Sequence, residues 1–297
     1  MKLKSNPILV FSLLISTACL AQSQLLNAKK AEELYTKTEA QIAADSASSF
    51  LPYGYVDERD VLWGKNVWEI IDLSERMNFP MYFPIDTVNI SNDRRSLYDV
   101  LLTNIKNGRI ENIYADSYFN EKRSLKDIEA TLSKIDTTDL GRQQLNAGEE
   151  LDPQYVNRRD LGAADIQQFR IRGYWYIDKR LGELKYRLLG IAPVAPDVNF
   201  IDDENSVLVE LFWVFVPEIR EVLHEAKAFN RHNSATHFSF DHLLNSRMFS
   251  AVIYKEDNEY GDRAIKDYIP ENALMQLLES DRIKDVIRNI EIDLWNY

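Results

Sequence analysis

Apolar and polar residues alternate along 168–177, and this period of two predicts a β-strand. A polar turn follows over 178–183, and a second alternating segment begins at Leu184. We therefore expect a hairpin with one buried face and one wetter face. The wetter face carries Arg170, Arg172, Tyr174 and Tyr176.

These four residues are candidate contacts with a partner protein, because arginine and tyrosine are favoured at binding surfaces. Tyr53 and Tyr55, which lie in a glycine-containing turn, complete the set. We expect the tyrosines of this set to be exposed. Ordinary pairing of side chains across neighbouring strands explains the same residues equally well, so both interpretations stay open.

Apolar residues recur at helical spacing within 52–86, the block that carries the most structural signal. An acidic start at Asp57 suits the positive end of a helix, and Asn78 and Pro80 suit its end. A short extended segment over 81–83 is expected to follow. The buried side of the predicted helix carries Trp63, Val67, Ile70 and Ile71.

Serine caps predict two helices farther along the chain. Ser96 and Ser124 each precede an aspartate three residues on, and apolar residues follow at helical spacing. We expect the first helix to end before Gly108 and the second to run through Ile135. A short strand is predicted between them, over 110–115.

The nearly continuous apolar run 207–216 predicts a central strand that is buried on both faces. Pro217 suits the first turn of a helix that follows this strand. A strand over 248–254 and a C-terminal helix over 270–295, with a break near Asp281, complete the prediction. The fold class is α+β, with mixed helices and a sheet that contains the hairpin.

Residues 1–21 have the pattern of a secretory signal peptide: two lysines, a short apolar run, and the small-x-small sequence that ends before Gln22. The apolar run is too short to span a bilayer. Residues 16–19 also partly resemble a lipoprotein processing site, which would acylate Cys19. Ordinary cleavage and lipidation therefore both stay open.

The rest of the chain is predicted to be one compact domain, 52–297. The segment before it, 22–51, is predicted to be a flexible arm or one lightly docked helix. The arm is rich in Ala, Gln, Ser and Lys and has too few apolar residues to build a core. The polar stretch 137–165 is either an internal boundary or a long surface excursion.

Composition narrows the classes of partner. The formal net charge of -12 disfavours binding to nucleic acid and to anionic membrane surfaces, because both require a basic patch on the protein. The same charge favours partner proteins with basic faces. Cys19 is the only cysteine, so cleavage before Gln22 would leave no thiol and no disulfide.

The histidines are the one concentration of side chains suited to metal binding or acid–base chemistry. They lie at intervals of eight, five and five residues, which do not share one helical face, and the HExxH pattern of zinc proteases is lacking. An enzyme built on this region remains the alternative function, as a periplasmic hydrolase or metal-binding enzyme. The region contains His224, His232, His237 and His242.

Several short motifs carry a resemblance to a known family. The sequences GYVDERDVLW at 54–63, WE at 68–69 and ERMNFP at 75–80 resemble the gliding motility protein GldN and its relative PorN. These are periplasmic parts of the type IX secretion machinery of Bacteroidetes. The resemblance continues in RRSLYD at 94–99, RGYWY at 172–176 and LLGIAP at 188–193.

The resemblance implies a structural role without catalysis. A protein of this family pairs with a GldK/PorK-type lipoprotein in large rings at the inner face of the outer membrane. It also contacts the periplasmic part of the GldM/PorM-type motor protein and links energised motion to secretion and gliding. No catalytic, cofactor-binding or metal-binding residue comes with the family, so none is assigned.

Intact mass spectrometry of the exported protein tests the processing prediction. We expect a chain that starts at Gln22, because residues 19–21 end in the small-x-small pattern of the signal peptidase. A start at Cys19 with a large added mass would contradict this expectation and would show that the protein is acylated.

Overall fold

The computed structural model of the chain describes residues 48–86, 94–138, 144, 146–147, 153–200, 206–231 and 238–295. Helices and a mostly antiparallel sheet are mixed along the described sequence, so the predicted α+β class is confirmed. The predicted signal peptide, 1–21, and most of the predicted arm, 22–51, lie outside these residues.

The main sheet has seven strands within the described residues, in the order β11-β1-β5-β6-β8-β2, with β7 also paired to β6. Two small antiparallel ribbons, β3–β4 and β9–β10, lie apart from it. The strands are β1 Val61–Asp72, β2 Ile113–Tyr114, β3 Ser133–Thr137, β4 Val156–Asp160, β5 Gln168–Asp178, β6 Glu183–Pro196, β7 Leu208–Glu210, β8 Trp213–Phe215, β9 Lys227–Ala228, β10 Phe238–Ser239 and β11 Val252–Glu256.

The helices begin largely where the sequence places their caps. Ser96 accepts a hydrogen bond from the backbone N–H of Asp99, and Ser124 forms a reciprocal capping box with Asp127. Pro217 lies in the first turn of the helix Val216–Glu225, as predicted. The helices are α1 Phe79–Tyr82, α2 Leu97–Lys106, α3 Leu125–Leu132, α4 Val216–Glu225, α5 Phe240–Asn245, α6 Ile265–Tyr268 and α7 Ala273–Trp295.

The two faces of the sheet are covered differently. On the inner face, alternate residues of β1 and β5 such as Ile71, Phe169 and Ile171 are fully buried against α2, α4 and α5. The C-terminal helix α7 packs beside them through Ile283 and Ile287. These helices exclude water from the inner face, which contains most of the apolar core.

The opposite, outer face is covered by a loop. We call residues 115–122 the outer loop; it follows β2, and a backbone bond joins Ala115 N–H to the carbonyl of Glu121. Phe119 of this loop has a positive φ of 62°, which is strained for a bulky residue. Its ring packs between Tyr114 and Phe215 at centroid distances of 5.2 Å to each.

The helix predicted in 52–86 is wrong, because Val61–Asp72 forms the long strand β1. Both faces of this strand carry apolar residues, since Val67 lies on the inner face and Trp68 on the outer one, and their spacing imitates a helical period. Gly64 and the many β-branched and aromatic residues were the signal for a strand. Asp57 still acts as a cap, but of the 3₁₀ turn Glu58–Asp60.

The apolar run 207–216 is buried as predicted only from Leu211 onward, because Val207 is 73% exposed and residues 208–210 are partly buried. The run is also not one continuous strand. Both β7 and β8 pair with β6, and four steps from Glu210 to Val214 oppose three steps from Val194 to Ile191. This extra residue is a bulge, which interrupts the ladder.

Four further boundaries differ from the prediction. Residues 81–83 are partly helical, in α1, and Ile135 belongs to β3 instead of the preceding helix. The strand expected over 248–254 begins at Val252.

The C-terminal helix continues through Asp281, because the buried Ser280 hydroxyl accepts a bond from Ile253 N–H and holds this turn against the sheet. The excursion 137–165 contains β4, which pairs with β3, and its role as a boundary stays a prediction.

We expect Gly190→Ala to destabilise the protein by about 1 to 3 kcal/mol, because a Cβ there would lie 2.6 Å from the ring of Phe119. Urea unfolding measures this loss. Gly54→Ala is the matched control, since no atom lies within 4 Å of its added methyl.

A second substitution tests the cause of that loss. Phe119→Ala removes the opposing ring, so the double variant with Gly190→Ala should lose less stability than the sum of the two single variants. Strict additivity would show that the ring and the glycine are not coupled.

Candidate functional site

Four of the six predicted contact residues lie on the outer face of the sheet. Arg170, Arg172, Tyr174 and Tyr176 occupy alternate positions of β5. Neighbouring side chains and the outer loop cover much of this row, so it is part of the packing of the sheet. Whether it also contacts a partner stays a prediction.

Arg172 is wedged between the sheet and the outer loop. Its guanidinium carbon lies 5.2 Å from the ring centres of both Trp68 and Tyr118. It donates to the carbonyl of Ser117 at 2.8 Å and to the side-chain oxygen of Asn66 at 3.3 Å. Burial lowers the pKa of Arg172, yet a guanidinium remains charged, so the aromatic faces hold a desolvated cation.

Arg170 is also bound within the fold. Its guanidinium forms an ion pair with Glu210 and lies 5.3 Å from the ring centre of Tyr254. The same carboxylate accepts a hydrogen bond from the indole N–H of Trp213 at 2.5 Å. Lys255 adds a third cation on this face and donates to the hydroxyl of Tyr118 at 2.8 Å. These charges therefore connect strands and loop.

The expected exposure of the tyrosines is wrong for Tyr176, which is only 6% exposed. Its ring stacks on Tyr174 at 5.9 Å, and the guanidinium of Arg187 lies 5.6 Å from it. Tyr174 is half-buried and crosses Gly64, where an added Cβ would lie 1.9 Å from its hydroxyl. The hairpin alone did not reveal these covering residues.

Tyr53 and Tyr55 have different surroundings, although they are only two positions apart in the sequence. Tyr53 donates to the side-chain oxygen of Asn245 at 2.7 Å and lies 4.0 Å beneath the guanidinium of Arg220, and burial raises its pKa. Tyr55 is 79% exposed, while its backbone carbonyl accepts a bond from Arg180 at 2.9 Å. Of the six predicted contact residues, Tyr55 has the most accessible ring.

Two ion pairs on the inner side of the sheet were not predicted from the sequence. Arg247 donates two hydrogen bonds, at 2.7 and 2.9 Å, to the carboxylate of Glu69 on the inner face. Burial alone lowers the pKa of Arg247, but its bonds to Glu69 raise the value overall. Arg220 makes a similar fork with Asp241, at 2.8 and 2.9 Å. The Arg220–Asp241 pair is buried on both sides, whereas the Arg247 side chain is 26% exposed and only its partner Glu69 is fully buried. In each pair the carboxylate accepts both hydrogen bonds of the fork, so we assign the two pairs to the fold.

The described histidines make local contacts. His224 lies on α4, and its Nε2 is 2.8 Å from the hydroxyl of Ser48. His242 lies on α5, and its ring packs 5.6 Å from Phe238. His232 and His237 lie outside the described residues. In the part of the chain that is described, no three or more His, Cys, Asp or Glu residues are grouped to hold a metal ion.

An apolar groove of about 520 Å³ lies beside α1. A volume of this size is ordinary for a binding pocket. We call it the arginine-rimmed groove. Its lining consists of Arg76, Phe79, Pro80, Phe83, Pro84, Ile85, Asp86, Arg94, Phe229 and Arg231.

Local sequence explains the shape of this groove. Pro80 lies in the first turn of the short helix α1, and the rings of Phe79 and Phe83 lie on one side with their centres 5.4 Å apart. From another part of the chain, Phe229 contributes a third ring, and the guanidinium of Arg94 lies 5.0 Å from its centre. No local pattern indicates this pairing of segments, because the two segments meet only after folding.

The family model described as "Gliding motility associated protein GldN" matches residues 56–296. The chain belongs to the GldN family. The resemblance seen in the sequence is thereby confirmed, and the chain is a gliding motility associated protein. No curated protein matches the chain.

The GldN match covers every strand and helix from β1 to α7, and with them the outer face and the arginine-rimmed groove. Tyr53 and Tyr55 precede the matched residues. In this GldN-family chain, no helix among the described residues is both long and apolar enough to cross a bilayer.

We expect Arg172→Ala to lower the free energy of unfolding by about 2 to 4 kcal/mol, because it removes a desolvated cation–aromatic stack and two hydrogen bonds. Chemical unfolding measures the loss. Tyr55→Ala, at an exposed ring, should change stability by less than about 0.5 kcal/mol. Equal stability of the Arg172 variant and the parent would contradict a structural role for this arginine.

Proposed function

We propose that the chain is a non-enzymatic structural component of the type IX protein secretion and gliding motility machinery. In this proposal it forms a periplasmic ring with a GldK/PorK-type lipoprotein and couples that ring to the GldM/PorM-type motor protein. Membership of the GldN family is the observation that carries the proposal.

The surface of the chain supports a role in protein contacts. The arginine-rimmed groove exposes Phe79, Phe83 and Phe229 to solvent, and an apolar patch with a polar rim is typical of an interaction site. The conspicuous arginines of the sheet are engaged in internal contacts, so the fold accounts for them without a substrate.

We place the protein in the periplasm, at the inner face of the outer membrane through its lipoprotein partner. The signal-peptide pattern of residues 1–21 supports export. The acidic net charge of -12 favours a partner that offers basic surface over direct attachment to anionic lipid.

The alternative, a periplasmic hydrolase or metal-binding enzyme in the region of His224 and His242, has no structural observation in its favour. The described histidines bond to nearby hydroxyl groups, and His242 carries no buried carboxylate partner among the described residues. A structural role therefore remains the single function that we propose.

The solution mass of the chain, alone and co-expressed with the GldK/PorK-type lipoprotein from the same genome, tests this proposal. Light scattering after size exclusion should show the chain in a very large complex only when the lipoprotein is present, because ring assembly needs both. A folded chain whose mass is unchanged by the lipoprotein would contradict the proposal. Co-expression with an unrelated exported lipoprotein is the control.

A further inference from the structure

Three arginines at the arginine-rimmed groove lack a carboxylate partner within the described residues. Arg76, Arg94 and Arg231 form no ion pair there, and the Nε of Arg94 is buried without a hydrogen bond. Elsewhere, arginines such as Arg109 and Arg282 bind carboxylates directly. On a chain of net charge -12, this convergence of unpaired cations distinguishes the groove.

The floor between these cations is apolar and open to solvent. Phe79, Phe83, Ile85 and Phe229 are each between 36% and 45% exposed. Among the described residues of the lining, Asp86 supplies the one carboxylate against three guanidinium groups. The hot spots of protein–protein interfaces are likewise rich in buried aromatic rings and arginine side chains.

We propose that the arginine-rimmed groove binds a segment of a partner protein that presents an aromatic or long aliphatic side chain flanked by carboxylates. This inference rests on the proposed function, in which the chain acts through protein contacts. The apolar side chain fills the space between the rings, and the carboxylates accept forked hydrogen bonds from the arginines at the rim.

Charge complementarity favours an acidic protein segment over an anionic membrane or a neutral apolar segment as the occupant of the groove. An anionic membrane would be repelled by the acidic remainder of the chain, whereas a short acidic segment meets only the local cluster of arginines. A neutral apolar segment would fill the floor and leave the guanidinium groups unpaired and partly desolvated, which costs affinity.

Selection of random dodecapeptides displayed on phage, against the purified exported chain, identifies the chemistry directly. We expect enriched sequences with Phe, Trp or Leu flanked by Asp or Glu. The strongest sequence, made as a labelled synthetic peptide, should bind in fluorescence anisotropy and should weaken as salt rises, because its charges are exposed at the rim.

Matched variants then locate the site. Arg76→Glu with Arg231→Glu reverses two exposed cations of the rim, and we expect affinity to fall at least about tenfold. Arg263→Glu with Arg288→Glu makes the same change in net charge at exposed positions elsewhere and should retain affinity within about twofold. Phe229→Ala should weaken binding, and Phe200→Ala, at another exposed ring, should not.

Several results would overturn the inference. One is the enrichment of peptides that contain no acidic residue, and another is a peptide that binds both double variants equally. The inference would also fail if the same arginines bound the chain to phosphatidylglycerol vesicles, or if the chain self-associated and only the groove variants abolished that association. The outcome of the peptide experiment does not depend on whether a ring assembles. If the acidic sequence is selected but no large complex forms with the lipoprotein, then the ring proposal fails and the groove assignment holds.

Discussion

Arg172 holds the outer loop against the outer face of the sheet. The inner face is closed by α2, α4, α5 and α7, but the outer face carries Trp68, Trp213 and other rings that need cover. A guanidinium between aromatic faces supplies that cover and also satisfies a carbonyl of the loop. The strained Phe119 lies in the same loop, over Gly190, so loop, strand and cation depend on one another.

Local patterns in the sequence predicted the elements whose signals are local. The hairpin of β5 and β6, the Ser96 and Ser124 caps and the Pro217 start could all be read from a few neighbouring residues. The strand β1 could not, because Val67 and Trp68 pack on opposite faces of one sheet and their spacing fits a helix as well. Whether a strand is buried on one face or on both is decided by elements far away in sequence.

The same limit explains the site. Alternation placed the arginines of β5 on one face of the sheet correctly, but it did not show that this face is covered. The outer loop that binds Arg172 comes from residues 115–122. The groove combines α1 with Phe229, and neither segment alone indicates a cavity. Family membership supplied the class of function, since the ring assembly that we propose would need complementary surfaces and not a constellation of catalytic groups. An interaction site of this kind leaves no short motif in a single sequence.

The central claim is that the sheet arginines serve the fold while the arginine-rimmed groove meets a partner. Hydrogen exchange of the chain, free and in complex with the GldK/PorK-type lipoprotein or the GldM/PorM-type protein, tests it most directly. We predict that amides of 168–196 exchange slowly in both states, and that those of 76–86 and 228–231 become slower in at least one complex. New protection confined to the outer face of the hairpin, with the groove unchanged in both complexes, would contradict the claim.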